Sequence, residues 1–323
     1  MHSTNCYTVN SVLTTSVRQP RVWYAATALP VAMVMIMITM FAIPITSFAQ
    51  ALSSRTNFYD GYAAPVILAE VNSDHDDYAP VWQTNMNRLV FTSERNGYAE
   101  LWQARFPENI VAPNSSPDVS AVPGTFNADG HWRSFISFGK DGEAVGVAFT
   151  RHEAQAWPTI VTAPTDADAV NLGHPIAQIH RNGFDAQPAL SLDGTRLVFV
   201  SDREGGAGGL DLWVCDRRRD EEWDAPVLLS SRVNSEGDEV TPFFISADTL
   251  VYASNGYGGK GGFDLFMVVL QAGVWGEPEP LDWLNTEYNE TDPAILPDGS
   301  FVFASNRPGG KGLLDLWISK RKQ

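Results

Sequence analysis

Leu197-Val198-Phe199-Val200-Ser201-Asp202-Arg203, followed by Gly205-Gly206-Ala207-Gly208-Gly209 and Leu210-Asp211-Leu212-Trp213, is the stretch from which the rest of the chain can be read. Its first run is apolar at consecutive positions, as a short strand buried on both faces requires. Glycines then mark a wide loop, and a second strand-like run follows. The same order returns at Leu250-Val251-Tyr252-Ala253-Ser254-Asn255, Gly258-Gly259-Lys260-Gly261-Gly262 and Phe263-Asp264-Leu265-Phe266. It returns again from Phe301 to Asn306-Arg307, through Gly309-Gly310-Lys311-Gly312, to Leu313-Leu314-Asp315-Leu316-Trp317. A copy without glycines runs from Leu89 to Arg95 and on to Glu100-Leu101-Trp102.

Ser201 and Ser254 lie 53 residues apart, and Ser254 and Ser305 lie 51 apart. The 108 residues from Ser93 to Ser201 leave room for one degenerate copy. Its strands are expected at Val145 to Thr150 and Trp157 to Thr162. Five units near this length, each with four short strands, predict an all-β fold, a single β-propeller of five four-stranded blades. In the third unit the strands a to d are expected at 188–192, 196–201, 210–215 and 226–230, with a tight Asp193-Gly194 turn between a and b. The last unit stops at Leu316-Trp317-Ile318-Ser319 without a strand d. Tyr62-Ala63-Ala64-Pro65-Val66-Ile67-Leu68 copies the strand-d pattern Trp223-x-x-Pro226-Val227-Leu228-Leu229. Residues 62–69 are therefore expected to pair with 314–319 and close the ring, which removes an exposed edge.

Composition agrees with this reading. The 323 residues hold 44% hydrophobic residues, 10 Trp, 26 Gly and 20 Pro, a globular and turn-rich makeup. A formal charge of −16 disfavours nucleic acid as a partner. Two Cys exclude a disulfide framework. Residues 1–49 carry no Asp or Glu. Arg18 and Arg21 precede an apolar run, and Ser47-Phe48-Ala49 and Ala49-Gln50-Ala51 have the small-x-small form of a cleavage site. The expected domains are a signal peptide, or an N-terminal membrane anchor, at 1–49, a short linker at 50–61, and the propeller at 62–323. The chain is expected in the periplasm or secreted, with membrane contact only if the leader stays uncleaved. Cys215, alone after cleavage, is expected in the core.

The repeats resemble the TolB-type, WD-like propeller repeats of bacterial envelope proteins over about residues 62–320. Ser305-Asn306-Arg307-Pro308-Gly309-Gly310-Lys311-Gly312 with Asp315-Leu316-Trp317, and Asn285-Thr286 with Glu290 and Pro293, look like the form fused to outer-membrane-protein-A-type domains. The resemblance implies a propeller that scaffolds or binds partners in the periplasm. The best-known members have six blades, whereas the spacing here counts five.

In a propeller the d–a and b–c loops share one face. Here those loops are long while the a–b turns are minimal, so the d–a/b–c face is the candidate binding face. An acid stands three residues before the strand-a proline in four units, as Asp77, Asp185, Glu239 and Glu290, with Asp76, Asp238 and Asp292 close by. These acids are expected around the channel mouth, with Arg95, Arg203 and Arg307 on the same face. The second unit offers no clear equivalent, and His131 and Trp132 lie nearest. Two readings stay open. The acids and arginines are inter-blade ties, with Asn72-Ser73, Asn234-Ser235 and Asn285-Thr286 as turn formers. Alternatively they hold a cationic or sugar group. Calcium suits clustered carboxylates, but no Asp-x-Asp-x-Asp-Gly loop is present, and no cofactor is expected. The Gly-Gly-x-Gly-Gly loops join two strands and lack Gly-Lys-Ser/Thr, which argues against a nucleotide.

His152-Glu153 has no second His at metalloprotease spacing, and no Gly-x-Ser-x-Gly elbow occurs. His131, Trp132, His152, Glu153 and Trp157 concentrate in the divergent unit. The functional expectation is an exported non-catalytic propeller that binds an envelope protein or polysaccharide through its d–a/b–c face. The rival is a glycan-cleaving enzyme of the five-bladed arabinanase type, with Asp77, Asp185, Glu239 and Glu290 as candidate carboxylates.

Overall fold

The computed structural model describes residues 61–107, 116–130, 132–139, 142–152 and 155–322. The leader, most of the linker, His131 and Glu153 lie outside them. Five antiparallel sheets make the blades of a propeller, numbered I to V in chain order. Strands a to d of blade I are Asp77–Gln83, Arg88–Ser93, Glu100–Arg105 and Asp118–Ala121. Blade II has Arg133–Phe138, Ala144–His152 and Gln155–Thr162. Blade III has Asp185–Leu190, Arg196–Ser201, Asp211–Asp216 and Val227–Leu228. In blade IV they are Glu239–Ser246, Thr249–Ser254, Asp264–Gln271 and Glu279–Pro280, and Val274–Trp275 also pairs with strand c. Blade V has Glu290–Ile295, Phe301–Ser305 and Asp315–Ser319.

The ring closes as its sequence pattern predicts. Val66–Ile67 is strand d of blade V, with Val66 opposite Ile318 and Ile67 opposite Trp317. Tyr62 bridges to Arg321, and its ring lies 5.3 Å from both Trp283 and Phe301. One expectation needs amending: blade II has three strands in its sheet rather than four. In place of a strand d it has a single bridge, Val161 to Pro175.

The consecutive apolar residues of strand b follow from the stacking of blades. In blade III, Leu197 and Phe199 pack with Val145 and Ile160 of blade II. Val198 and Val200 point the other way and pack with Val251, Leu265 and other residues of blade IV. Alternate side chains of one strand thus enter two different interfaces. A polar residue at any of these positions would be buried on one side or the other, and all four are fully buried. Cys215 in strand c belongs to the same interface as Leu197 and is buried, which pushes its thiol up to about 12.

The glycine-rich b–c loops fold back on the first residue of strand c. Backbone N–H groups of Ala207 and Gly208 donate to Asp211, that of Gly261 to Asp264, and those of Lys311 and Gly312 to Asp315. The approach leaves no room for a side chain, since a Cβ on Gly310 would lie 1.9 Å from Asp315 Oδ2. Gly310→Ala is therefore expected to cost about 1–3 kcal/mol of stability, read as a lower denaturant midpoint. Gly97→Ala, in the open b–c loop of blade I at φ 86°, meets nothing within 4 Å, so its cost is the conformational penalty of positive φ alone.

Candidate functional site

The four repeat acids begin strand a in blades I, III, IV and V, and all are buried with 0–1% exposure. Asp77 accepts from the backbone N–H and hydroxyl of Ser73 and from Arg95 Nη2 at 2.9 Å. Asp185 accepts from Ser201 Oγ at 2.7 Å and Arg203 Nη2 at 2.8 Å, with Arg181 Nε 3.3 Å from its other oxygen. Glu239 accepts from the Ser235 N–H and hydroxyl and from Ser254 Oγ. Glu290 accepts from the Thr286 N–H and hydroxyl, Ser305 Oγ and Arg307 Nη2. Each acid thus ties its d–a loop to the end of strand b.

The arginines complete these ties. Arg95, Arg203 and Arg307 lie over the strand-b phenylalanine and strand-c tryptophan of their own blade, at 4.3–5.4 Å from the ring centroids. Each also donates to a d–a loop carbonyl, of Val71, Ile179 or Leu284. Blade IV has Gly256 at the corresponding place. There Tyr257 donates to the equivalent Val233 carbonyl at 2.6 Å and packs on Phe266. With no arginine beside it, the Glu239 carboxyl is pushed up by burial, against the pull of the Ser235 and Ser254 hydroxyls.

The loop asparagines do more than turn the chain. Asn72, Asn127, Asn234 and Asn285 each take the backbone N–H and C=O of a strand-c leucine in the preceding blade, Leu316, Leu101, Leu212 and Leu265. In blade II the place of the acid belongs to Arg133, whose N–H donates to Ala99 O as that of Asp77 does to Leu314 O. By sequence His131 and Trp132 lie nearest, two residues and one residue before this position. The 56-residue step from Asp77 and the 52-residue step to Asp185 both point to Arg133.

The central channel holds a cavity of about 270 Å³, lined by strand a of all five blades. Its lining starts at the third residue of strand a and reaches the a–b connections at Thr84, Leu192 and Pro297. Leu192 is 58% exposed, which places the mouth on the a–b side. The repeat acids do not line it. Of the three acids that neighbour them in sequence, Asp76 accepts from the Leu313 and Leu314 N–H groups and Asp238 from that of Leu210. Asp292 alone enters the cavity and is its one ionisable lining residue.

Asp292 is 6% exposed. Its Oδ2 accepts from Thr291 Oγ1 at 2.7 Å, while its Oδ1 is buried without a hydrogen-bond partner among the described residues. Burial pushes its carboxyl from 3.8 up to about 7, opposed only by the Thr291 hydroxyl. The folded state therefore holds a proton that the unfolded chain has released between about pH 4 and 7. Stability from this group falls as pH rises through that window and is level above it. Asp292→Asn is expected to flatten that decline. Subtracting its pH–stability curve from the parent's should leave a difference on the order of a few kcal/mol between pH 4 and pH 8.

The residue two places after the acid position has a left-handed backbone in every blade: Ala79, Phe135, Gln187, Thr241 and Asp292, with φ between 49° and 54°. A break in the strand a–b register accompanies it each time. All five line the cavity. Of the five, the sequence singles out Asp292 alone, as a neighbour of Glu290; the signal for the others is the variable position before the strand-a proline, which is present in four blades. Among the described residues, no three His, Cys, Asp or Glu side chains converge as metal ligands would.

No protein-family profile matches the sequence, and no curated protein does either. Solved structures match at the level of fold. A thermostable family-43 glycoside hydrolase is 13% identical, with a TM-score of 0.53 over 78% of this chain and 91% of its own. An endo-arabinase from Bacteroides thetaiotaomicron is 11% identical, with a TM-score of 0.53 over 81% and 98%. TolB from Acinetobacter baumannii is 12% identical, with a TM-score of 0.45 over 78% of this chain and 57% of its own. The sequence resemblance to TolB-type repeats thus holds as far as the β-propeller and no further.

Proposed function

We propose that this chain is an exported, non-catalytic propeller that binds a sugar residue of an envelope or extracellular polysaccharide in its central cavity. The observation that carries the reading is the cavity itself. It offers one carboxyl, one amide and hydroxyls among proline and aromatic walls, the mixture that holds a small polar ligand with an apolar face. About 270 Å³ lies below the usual range of drug-sized pockets, roughly 300–1,000 Å³, and suits one ring rather than several. The family-43 glycoside hydrolase and the endo-arabinase, both with TM-scores above 0.5, act on glycans by name, which supports a sugar as the ligand class. The repeat acids are poor candidates for a loop-face site because they are buried and already engaged: Asp77, Glu239 and Glu290 accept from the loops they tie, and Asp185 is bonded to Ser201 and Arg203 and ion-paired with Arg181. Neutralising Asp185, Glu239 and Glu290 together therefore tests folding rather than binding.

Applying the tagged chain from residue 50 to a glycan array and an envelope extract tests the proposal. Saturable retention of a defined saccharide is the expected result. Capture of a protein with no saccharide would replace it with the protein-binding reading through the d–a/b–c face.

Glycan cleavage is the second reading, favoured by the raised carboxyl of Asp292, since a protonated acid near neutral pH suits proton donation to a leaving group. Two carboxyls flanking the bond are required, and the cavity lining offers one. Release of reducing ends from arabinan or xylan, lost in Asp292→Asn, would establish cleavage instead of binding.

A further inference from the structure

In a repeat fold, positions that serve the repeat recur. The acid, the serine that ends strand b, the loop asparagine and the strand-a proline each appear in four of the five blades. The left-handed position recurs in backbone only. Its φ stays within 49–54° while its side chain runs through Ala79, Phe135, Gln187, Thr241 and Asp292. Positive φ is uncommon for any residue with a Cβ and is a genuine outlier for a β-branched or bulky one such as Thr241 or Phe135. Such strain concentrates at ligand sites, where surrounding structure maintains it. The same strained backbone with five unlike side chains, all facing one cavity, separates two roles: the backbone aims the position and the side chain sets the chemistry.

The chemistry is divided by sector. Blades III, IV and V supply the polar residues, linked into an arc. The Thr241 N–H donates to Gln187 Oε1 at 2.9 Å, and the Asp292 N–H donates to Thr241 Oγ1 at 3.0 Å. The end of this arc is the buried Asp292 Oδ1, which has no donor among the described residues. Blades I and II supply Ala79 and Phe135, the latter with its ring 5.5 Å from that of Tyr78. We propose that these five residues form a specificity collar for one neutral sugar ring, in which Gln187, Thr241 and Asp292 bond its hydroxyls while Phe135, beside Ala79, covers its C–H face. The proposal rests on the sugar-binding reading above and assigns the residues that discriminate. A ligand hydroxyl supplies the donor that Asp292 Oδ1 lacks.

The test is titration calorimetry of arabino-, xylo-, gluco-, galacto- and amino-sugar oligosaccharides against the chain from residue 50 and five variants. Asp292→Asn keeps a residue type that tolerates the left-handed region, and it is expected to weaken binding about tenfold or more. Phe135→Leu is expected to weaken it by about threefold to tenfold. Thr241→Val is expected to lose affinity that Thr241→Ser retains; because Thr241 Oγ1 also accepts the Asp292 N–H, the contrast counts only where the two melting curves match. Val227→Thr, on the exposed outer strand of blade III, serves as the unchanged control. Sugar binding that is equal in Asp292→Asn, Phe135→Leu and the parent, with matching melting curves, would leave the sugar reading standing and remove the collar. Binding of no sugar by the parent would remove both. Tighter binding of amino-sugar oligomers than of neutral ones would overturn the neutral-ring assignment.

Discussion

Glu290→Ala is expected to lower the melting temperature by about 10 °C. The carboxylate is fully buried, and its partner Arg307 is only 11% exposed, so solvent screens the pair little. Removing one member of a buried pair costs about 3–5 kcal/mol, because the remaining charge keeps its desolvation without its partner. In a chain of this size each kcal/mol shifts the midpoint by roughly 2–4 °C. Thr286 and Ser305 lose an acceptor at the same time, and the Thr286 N–H is left without one. Glu290→Gln keeps an acceptor oxygen and is expected to lose less. Combining Glu290→Ala with Arg307→Met is expected to cost less than the sum of the two single changes. Denaturant curves on all four proteins check this. A fully additive outcome would mean that the carboxylate and the guanidinium do not act as one tie.

Starting the chain at Ser73 instead of upstream of Gly61 is expected to abolish cooperative folding. The lost segment contributes the pairs Val66–Ile318 and Ile67–Trp317, and backbone bonds from Ala63 to Lys320 and from Leu68 to Leu316. Asn72 leaves the Leu316 backbone without its side-chain partner. Leu68 and Tyr62 leave gaps against blade V and Trp283. Strand c of blade V then becomes a free edge, open to other copies of the chain. Size-exclusion chromatography should show aggregates, and the near-ultraviolet signal of the tryptophans should collapse. A monomeric, cooperatively melting truncated chain would overturn the view that this strand closes the ring.

Most of the architecture is legible in the sequence because propeller blades are local. The strand-b runs at Leu197–Val200 and Leu250–Ala253 announce burial on both faces, and the missing last strand has a visible copy at residues 62–68. Blade II was the harder case. Its acid, serine and proline are replaced by Arg133, Ala148 and Ile136, so only the spacing carries the register. Its place in the ring could be counted, but its missing fourth strand could not.

The site divides the other way. The sequence alone determined that four acids recur at one structural position and that three arginines accompany them, since recurrence is a property of the string. What those acids do was decided only in three dimensions. Whether a carboxylate faces a channel or a serine four residues back depends on how the d–a loop folds over it, and that fold is maintained by asparagine bonds to the preceding blade. The left-handed residues are the sharper instance. Ala79, Phe135, Gln187, Thr241 and Asp292 share no chemistry, and in the sequence only the proline that follows four of them links them. They become one group only when five strands are arranged about an axis and each backbone bulges toward it.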